Sequence, residues 1–231
     1  MSPPPDARPP KLEPIFAAVL AGDAELGRVL CDVPDAYRTP MREDVLIEAI
    51  PHWLYVGDIP LHLAAAALKP KTVELLLQYG SDPNAKNRRG AGPLHYACDA
   101  RPNSGRSWDP AAQVSIIALL VERGAALDSG DHAGSTPLHR AVRARSVSAV
   151  RKLLELGART DCRLRPRGST PLHLAAQSTG ASGTAGTLDA QLEIIALFRQ
   201  FSADFAALDN ERRSPHDWAT LARVREALAT A

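Results

Sequence analysis

Thr136-Pro137-Leu138-His139-Arg140-Ala141 is one of five related hexads in this chain. The others are Ile59-Pro60-Leu61-His62-Leu63-Ala64, Gly92-Pro93-Leu94-His95-Tyr96-Ala97, Thr170-Pro171-Leu172-His173-Leu174-Ala175 and the degenerate Ser214-Pro215-His216-Asp217-Trp218-Ala219. Their prolines stand 33, 44, 34 and 44 residues apart. A phrase that returns at a period of about 33 residues marks a row of small supersecondary units, not one globular core. Each unit buries its apolar side against its neighbours and leaves one long face free.

The hexad has a local logic. Proline suits the first turn of a helix, where its missing N–H has no partner to lose. The preceding threonine can act as an N-cap, its hydroxyl accepting from an orphan amide. Leucine and the alanines face inward, and small alanines let helices approach closely. Ile59 and Gly92 stand where Thr136 and Thr170 stand elsewhere, so the first two full units lack that cap. The expected loss is about 1 kcal/mol at Ile59 and a few tenths at Gly92.

The T-P-L-H-x-A pattern resembles the ankyrin repeat family, over about residues 12 to 225. The resemblance implies an all-α fold, an ankyrin-repeat α-solenoid of stacked helix-turn-helix pairs with β-turn fingers. It also implies that His62, His95, His139 and His173, with Thr136 and Thr170, are structural linkers between neighbouring turns. In the last unit His216 and Asp217 occupy the leucine and histidine positions, so no histidine role carries over there.

On this pattern residues 1–11, with five prolines in the first ten, form a disordered lead-in. Residues 12–53 form a degenerate N-terminal repeat plus an extra helix beginning at Pro40. Residues 54–208 hold four repeats, 54–86, 87–130, 131–163 and 164–208, and 209–231 make a C-terminal cap. Gly80, Gly124 and Gly157 end the second helices in the left-handed conformation glycine tolerates, with Ser202 in the fourth. The two 44-residue periods each carry about eleven extra residues between first and second helix. One insert runs from Arg101 and includes Trp108; the other runs from Ser178. Both are expected to project from the edge opposite the fingers, Trp108 as either a folded-back cover or an anchor.

Composition sets further bounds. Of 231 residues 45% are hydrophobic but only 5% aromatic, so alanine and leucine fill the core. Net charge is +1, which gives no overall bias toward nucleic acid or membrane. The distribution is uneven: residues 12 to 58 hold nine acidic and three basic side chains, residues 140 to 167 nine basic and two acidic. Cys31, Cys98 and Cys162 are odd in number and widely spaced, which reads as buried thiols in a reducing compartment. No secretory leader and no apolar run of about 18 residues is evident, so the expectation is a cytoplasmic protein. Arginine outnumbers lysine by 22 to 5, which points to a GC-rich, bacterial genome.

Catalytic and metal chemistry find little support. The four motif histidines recur one per repeat, about 10 Å or more apart, so no three converge on an ion. Gly180, Gly183 and Gly186 lack the preceding strand and the lysine of a phosphate-binding loop. No cofactor, metal or catalytic residue is expected.

The informative positions are those that stacking leaves unused. Finger tips supply Tyr55, Arg88, Arg89, His132, Arg165 and Arg167, while inner-helix ends supply Tyr96, Asp99, Arg140, Arg143 and Gln177. In the ankyrin family such positions usually contact a protein. A basic stripe favours an acidic, extended protein partner held by a monomeric, non-catalytic module. The alternative is nucleic acid or polyphosphate on the same arginines, which Asp99, Asp131 and the acidic N-terminal third argue against by breaking the track.

Overall fold

The computed structural model describes residues 13–50, 52–99, 109–177 and 187–229. Within them lie twelve helices in six pairs: α1 (Pro14–Ala21) with α2 (Asp23–Asp32), α3 (Pro60–Ala66) with α4 (Pro70–Gln78), α5 (Pro93–Cys98) with α6 (Pro110–Glu122), α7 (Pro137–Ala144) with α8 (Val147–Glu155), α9 (Pro171–Ala176) with α10 (Thr187–Gln200), and α11 (Pro215–Trp218) with α12 (Ala222–Ala229). The odd-numbered helices pack on one another in chain order, and so do the even-numbered ones. The result is a two-layered all-α solenoid.

Every odd-numbered helix opens with its proline in the first turn. They run only four to eight residues, too short to persist alone in water. Burial between neighbours holds them. The motif leucines Leu61, Leu94, Leu138 and Leu172 are at most 2% exposed, and Ala64, Ala97, Ala141 and Ala175 are fully buried. Gly80, Gly124 and Gly157 end their helices at φ near 90°, and Ser202 takes the left-handed conformation at φ 54°.

The N-terminal segment departs from the sequence expectation. No helix begins at Pro40. The chain forms a 3₁₀ turn at Pro34–Arg38, then strands β1 (Val45–Ile47) and β2 (His52–Leu54), antiparallel in the register Val45↔Leu54, Leu46↔Trp53, Ile47↔His52. The ladder continues below: the Met41 amide donates to the Asp58 carbonyl, the Gly57 amide to the Met41 carbonyl, and the Val56 amide to Asp44 Oδ1. Pro40, Glu43 and Asp44 are helix-start signals, but strict alternation of buried and exposed side chains on the strands outweighs them. Val45, Ile47 and Leu54 enter the core; Leu46 and Trp53 face out. The first finger is thus a long hairpin.

The edge away from the fingers is closed by side chains from the start of the second helices. Gln113 Nε2 donates to the Ala97 carbonyl at 2.8 Å, and Gln191 Nε2 to the Ala175 carbonyl at 2.7 Å. Ser146 Oγ donates to Gln113 Oε1, and Lys69 Nζ reaches the Val19 and Leu20 carbonyls. Residues 100–108 and 178–186, including Trp108 and most of both inserts, lie outside the described residues. Each stretch follows a helix whose terminal carbonyls a buried glutamine satisfies. Gln191→Leu removes the 2.7 Å donor of the Ala175 carbonyl, leaving it the 3.4 Å contact from Arg145, and is expected to destabilise by about 1–3 kcal/mol in urea titration.

Candidate interaction surface

The motif histidines join the repeats. Each Nδ1 accepts the amide three residues before it, at 3.1 Å from Ile59 and Gly92 and 3.2 Å from Thr136 and Thr170. The Thr136 and Thr170 hydroxyls donate to the same nitrogens at 2.9 and 2.8 Å. With Nδ1 accepting, Nε2 carries the proton. It donates across the junction to the carbonyls of Ala91, Ser135 and Arg213 from His62, His95 and His173. His139 Nε2 faces the equivalent Ser169 backbone but falls short of a well-formed hydrogen bond. Burial pushes all four imidazoles below their usual range, His95 and His139 to about 4. In the last unit Asp217 performs the near-side role, accepting the Ser214 amide and hydroxyl at 2.8 and 2.7 Å.

Finger stacking uses one backbone bond per junction. Arg88 N donates to the Val56 carbonyl, His132 N to Arg89, Arg165 N to Ala133 and Asn210 N to Arg167, at 2.7–2.9 Å. The turn residues Asn87, Asp131 and Asp209 brace their own fingers by accepting two backbone amides each on Oδ1. Leu164 stands at that place in the fourth finger, where its amide bonds Ser169, five residues on, against four in the third finger. Gly134 shows why the fingers need glycine: at φ 75°, a Cβ there would lie 2.7 Å from the Arg163 carbonyl oxygen.

Against this frame the expected basic stripe divides. Arg89, His132, Arg165, Arg167 and Gln177 are exposed, and Arg165 and Arg167 make no ion pair among the described residues. Arg89 lies over the half-buried Tyr55 ring at 4.1 Å, a cation–π contact that holds it at the base of the hairpin. Arg88 pairs with Asp44 and Arg143 reaches Asp99 at 3.4 Å, both side chains remaining about half exposed.

Three expected contact residues are committed to internal bonds. Tyr96 is 2% exposed: its hydroxyl donates to Asp58 Oδ2, and Asn87 Nδ2 donates to both Tyr96 Oη and Asp58 Oδ1. The hydroxyl therefore satisfies a buried carboxylate beneath the first fingers. Arg140, with a side chain 16% exposed, is clamped between Asp99 and Asp131, and the one negative charge left over is balanced by Arg143, which reaches Asp99 from outside. The Asp99 carboxylate is occupied by this clamp rather than offered to a partner.

Some structural residues carry no motif signature. Asp58 is fully buried and accepts the Tyr55 amide at 2.6 Å in addition to its side-chain donors. Arg145, at φ 58°, sends its buried guanidinium to the carbonyls of Leu174, Ala175 and Gln177. Burial lowers Arg145 to about 10. The cysteines also differ from expectation: Cys98 alone is buried, Cys162 is half-buried and Cys31 exposed, because Cys31 falls on the outer side of α2. Among the described residues no group of three His, Cys, Asp or Glu is placed to hold a metal, and no helix is long and apolar enough to cross a membrane.

Comparison with known proteins agrees with this architecture. Residues 110–194 match the family model described as ankyrin repeats (3 copies), and residues 56–88 match that described as ankyrin repeat. Among curated proteins, neurogenic locus notch homolog protein 4 of Homo sapiens is 30% identical over 63% of this chain and 7% of its own length. The B-cell lymphoma 3 protein homolog of Mus musculus is 33% identical over 50% of this chain and 32% of its own length. Rabankyrin-5 of Homo sapiens is 29% identical over 53% and 13%. The chain thus spans about a third or less of these relatives. With two family matches covering about half of the chain, and hexads and helix pairs continuing the pattern beyond them, the protein belongs to the ankyrin repeat family.

Proposed function

We propose that the protein is a non-catalytic interaction module that holds an acidic, extended segment of a partner protein along its fingers and inner-helix ends. The observation that carries this reading is the set of exposed guanidiniums on a rigid, regularly stacked frame, above all Arg165 and Arg167. Arg89 and Arg143 extend the set, with His132 and Gln177 beside them. Guanidinium forks suit carboxylates, and the finger backbones that carry three of these arginines are already bonded to their neighbours. In this reading residues 54–208 are the four binding repeats and the flanking units are caps.

The test uses a synthetic peptide of twelve alternating Glu and Asp residues and a duplex oligonucleotide as probes. The peptide is expected to bind, and R165E/R167E to weaken it at least tenfold while the melting temperature stays within about 2 °C. Tighter binding of the duplex, with log affinity falling steeply against log salt at about −0.9 per phosphate contacted, establishes the nucleic-acid alternative instead.

A further inference from the structure

We propose that the Leu46–Trp53 face of the hairpin is the apolar anchor site for the same partner segment, so that the partner carries an aromatic or large aliphatic residue at one end of its acidic stretch. This rests on the reading above and adds what the arginines cannot supply, a fixed end and direction.

Leu46 and Trp53 are directly opposed across β1 and β2, and both point outward, 44% and 48% exposed. Directly opposed residues of an antiparallel pair present their side chains side by side. The platform is stiff: the inward residues Val45, Ile47 and Leu54 are buried, and the His52 ring packs on Tyr96 at 4.8 Å between centroids. An exposed tryptophan held on a rigid pedestal is the kind of group that anchors interfaces.

Continuity and charge name the occupant. β2 runs directly into Tyr55 and Val56, the first finger, and Arg89 sits on Tyr55. The platform is therefore the first station of the finger row. The exposed Glu43 and Glu48 lie at the hairpin, within the segment of nine acids to three bases, whereas Arg165 and Arg167 close the segment of nine bases to two acids. Acids of a bound segment are repelled from the hairpin end and drawn to the fourth finger, so the end over Leu46 and Trp53 is apolar. Three repeats at about 10 Å each separate the stations. An extended chain at about 3.3 Å per residue covers that span with about nine residues.

A random twelve-residue phage library is the discriminating probe. Wild-type protein is expected to enrich peptides that combine several acids with a Trp, Phe or Leu toward one end. Trp53→Ala, and separately Leu46→Ser, should still enrich acidic peptides but lose the apolar position, and the wild-type consensus peptide should bind them at least tenfold more weakly. Both sites are surface positions, and unchanged melting temperatures confirm intact folds. An unchanged consensus with Trp53→Ala and Leu46→Ser, or no enriched consensus at all, overturns the anchor. Persistence of the acidic preference in R165E/R167E instead overturns the arginine reading while leaving the apolar preference visible. Sedimentation showing a dimer that Trp53→Ala dissolves assigns the face to a second copy and also overturns the proposal.

Discussion

Acidification from pH 6.5 to pH 4 should unfold this protein well before its carboxylates titrate. The four motif histidines are neutral in the fold, with Nδ1 accepting a backbone amide and burial depressing each pKa, to about 4 for His95 and His139. In the unfolded chain they titrate near 6.5. The unfolded state therefore binds more protons throughout that window, and stability falls as pH falls. At about 1.4 kcal/mol per pKa unit, His95 and His139 forfeit up to about 3 kcal/mol apiece by pH 4. His62 and His173 add losses of the same sign. Against the roughly 5–15 kcal/mol of a typical domain, a transition centred near pH 5 is expected. Urea titrations at pH 7, 6, 5 and 4 measure it. Stability that holds level to pH 4.5, then drops, would place the titrating groups among the carboxylates instead. In the variant His95→Asn/His139→Asn the slope across the window should shrink by about half, on a lower overall stability.

The second large effect lies at Arg140. Its two terminal nitrogens serve Asp99 and Asp131, and all three side chains are under one-fifth exposed. Burial alone would lower the arginine pKa, but the two carboxylates more than offset that and raise it; in return the guanidinium and the finger amides hold Asp131 below its ordinary range. Arg140→Met leaves Asp131 without its cation and Asp99 with only the half-exposed Arg143, and an unpaired buried charge costs about 3–5 kcal/mol. Because the site keeps some solvent, a loss of about 2–4 kcal/mol is expected in urea titration at pH 7. Asp131→Asn in the same chain should restore part of it, since the amide oxygen can still brace the finger. Arg143→Met, three residues on and half exposed, should change stability by less than about 0.5 kcal/mol. Equal effects of the two substitutions would dissolve the distinction between a clamp and a surface charge.

These contrasts show what was legible in one dimension. The hexads and the helix-ending glycines are local signals, each acting within a turn of its own position, and they predict the paired helices; the imidazole links, whose far bonds span 29 to 40 residues, came only with the family resemblance. Arg140 and Tyr96 read as surface groups because their partners stand far away in sequence: Asp99 is 41 residues from Arg140, and Asp58 is 38 from Tyr96. Only the stack brings them together. The hairpin left a fainter mark: Val45-Leu46-Ile47 and His52-Trp53-Leu54 are short β-prone runs, but the first is apolar throughout and no polar, glycine-bearing turn separates them, so the helix-start signals at Pro40 and Glu43 stood out instead. Gln113 and Gln191 each lie eleven residues before the left-handed residue that follows their helix, Gly124 and Ser202, so alignment of the second helices would have paired them.

Those two glutamines fasten the scaffold on either side of the long segments. Each reaches back from the following helix to a carbonyl of the inner helix and fastens its exit. A foreign sequence spliced between positions 99 and 109, or 177 and 187, meets ends already fastened. The protein therefore offers two grafting sockets on one edge, where new recognition loops can be installed while the finger row keeps its own specificity.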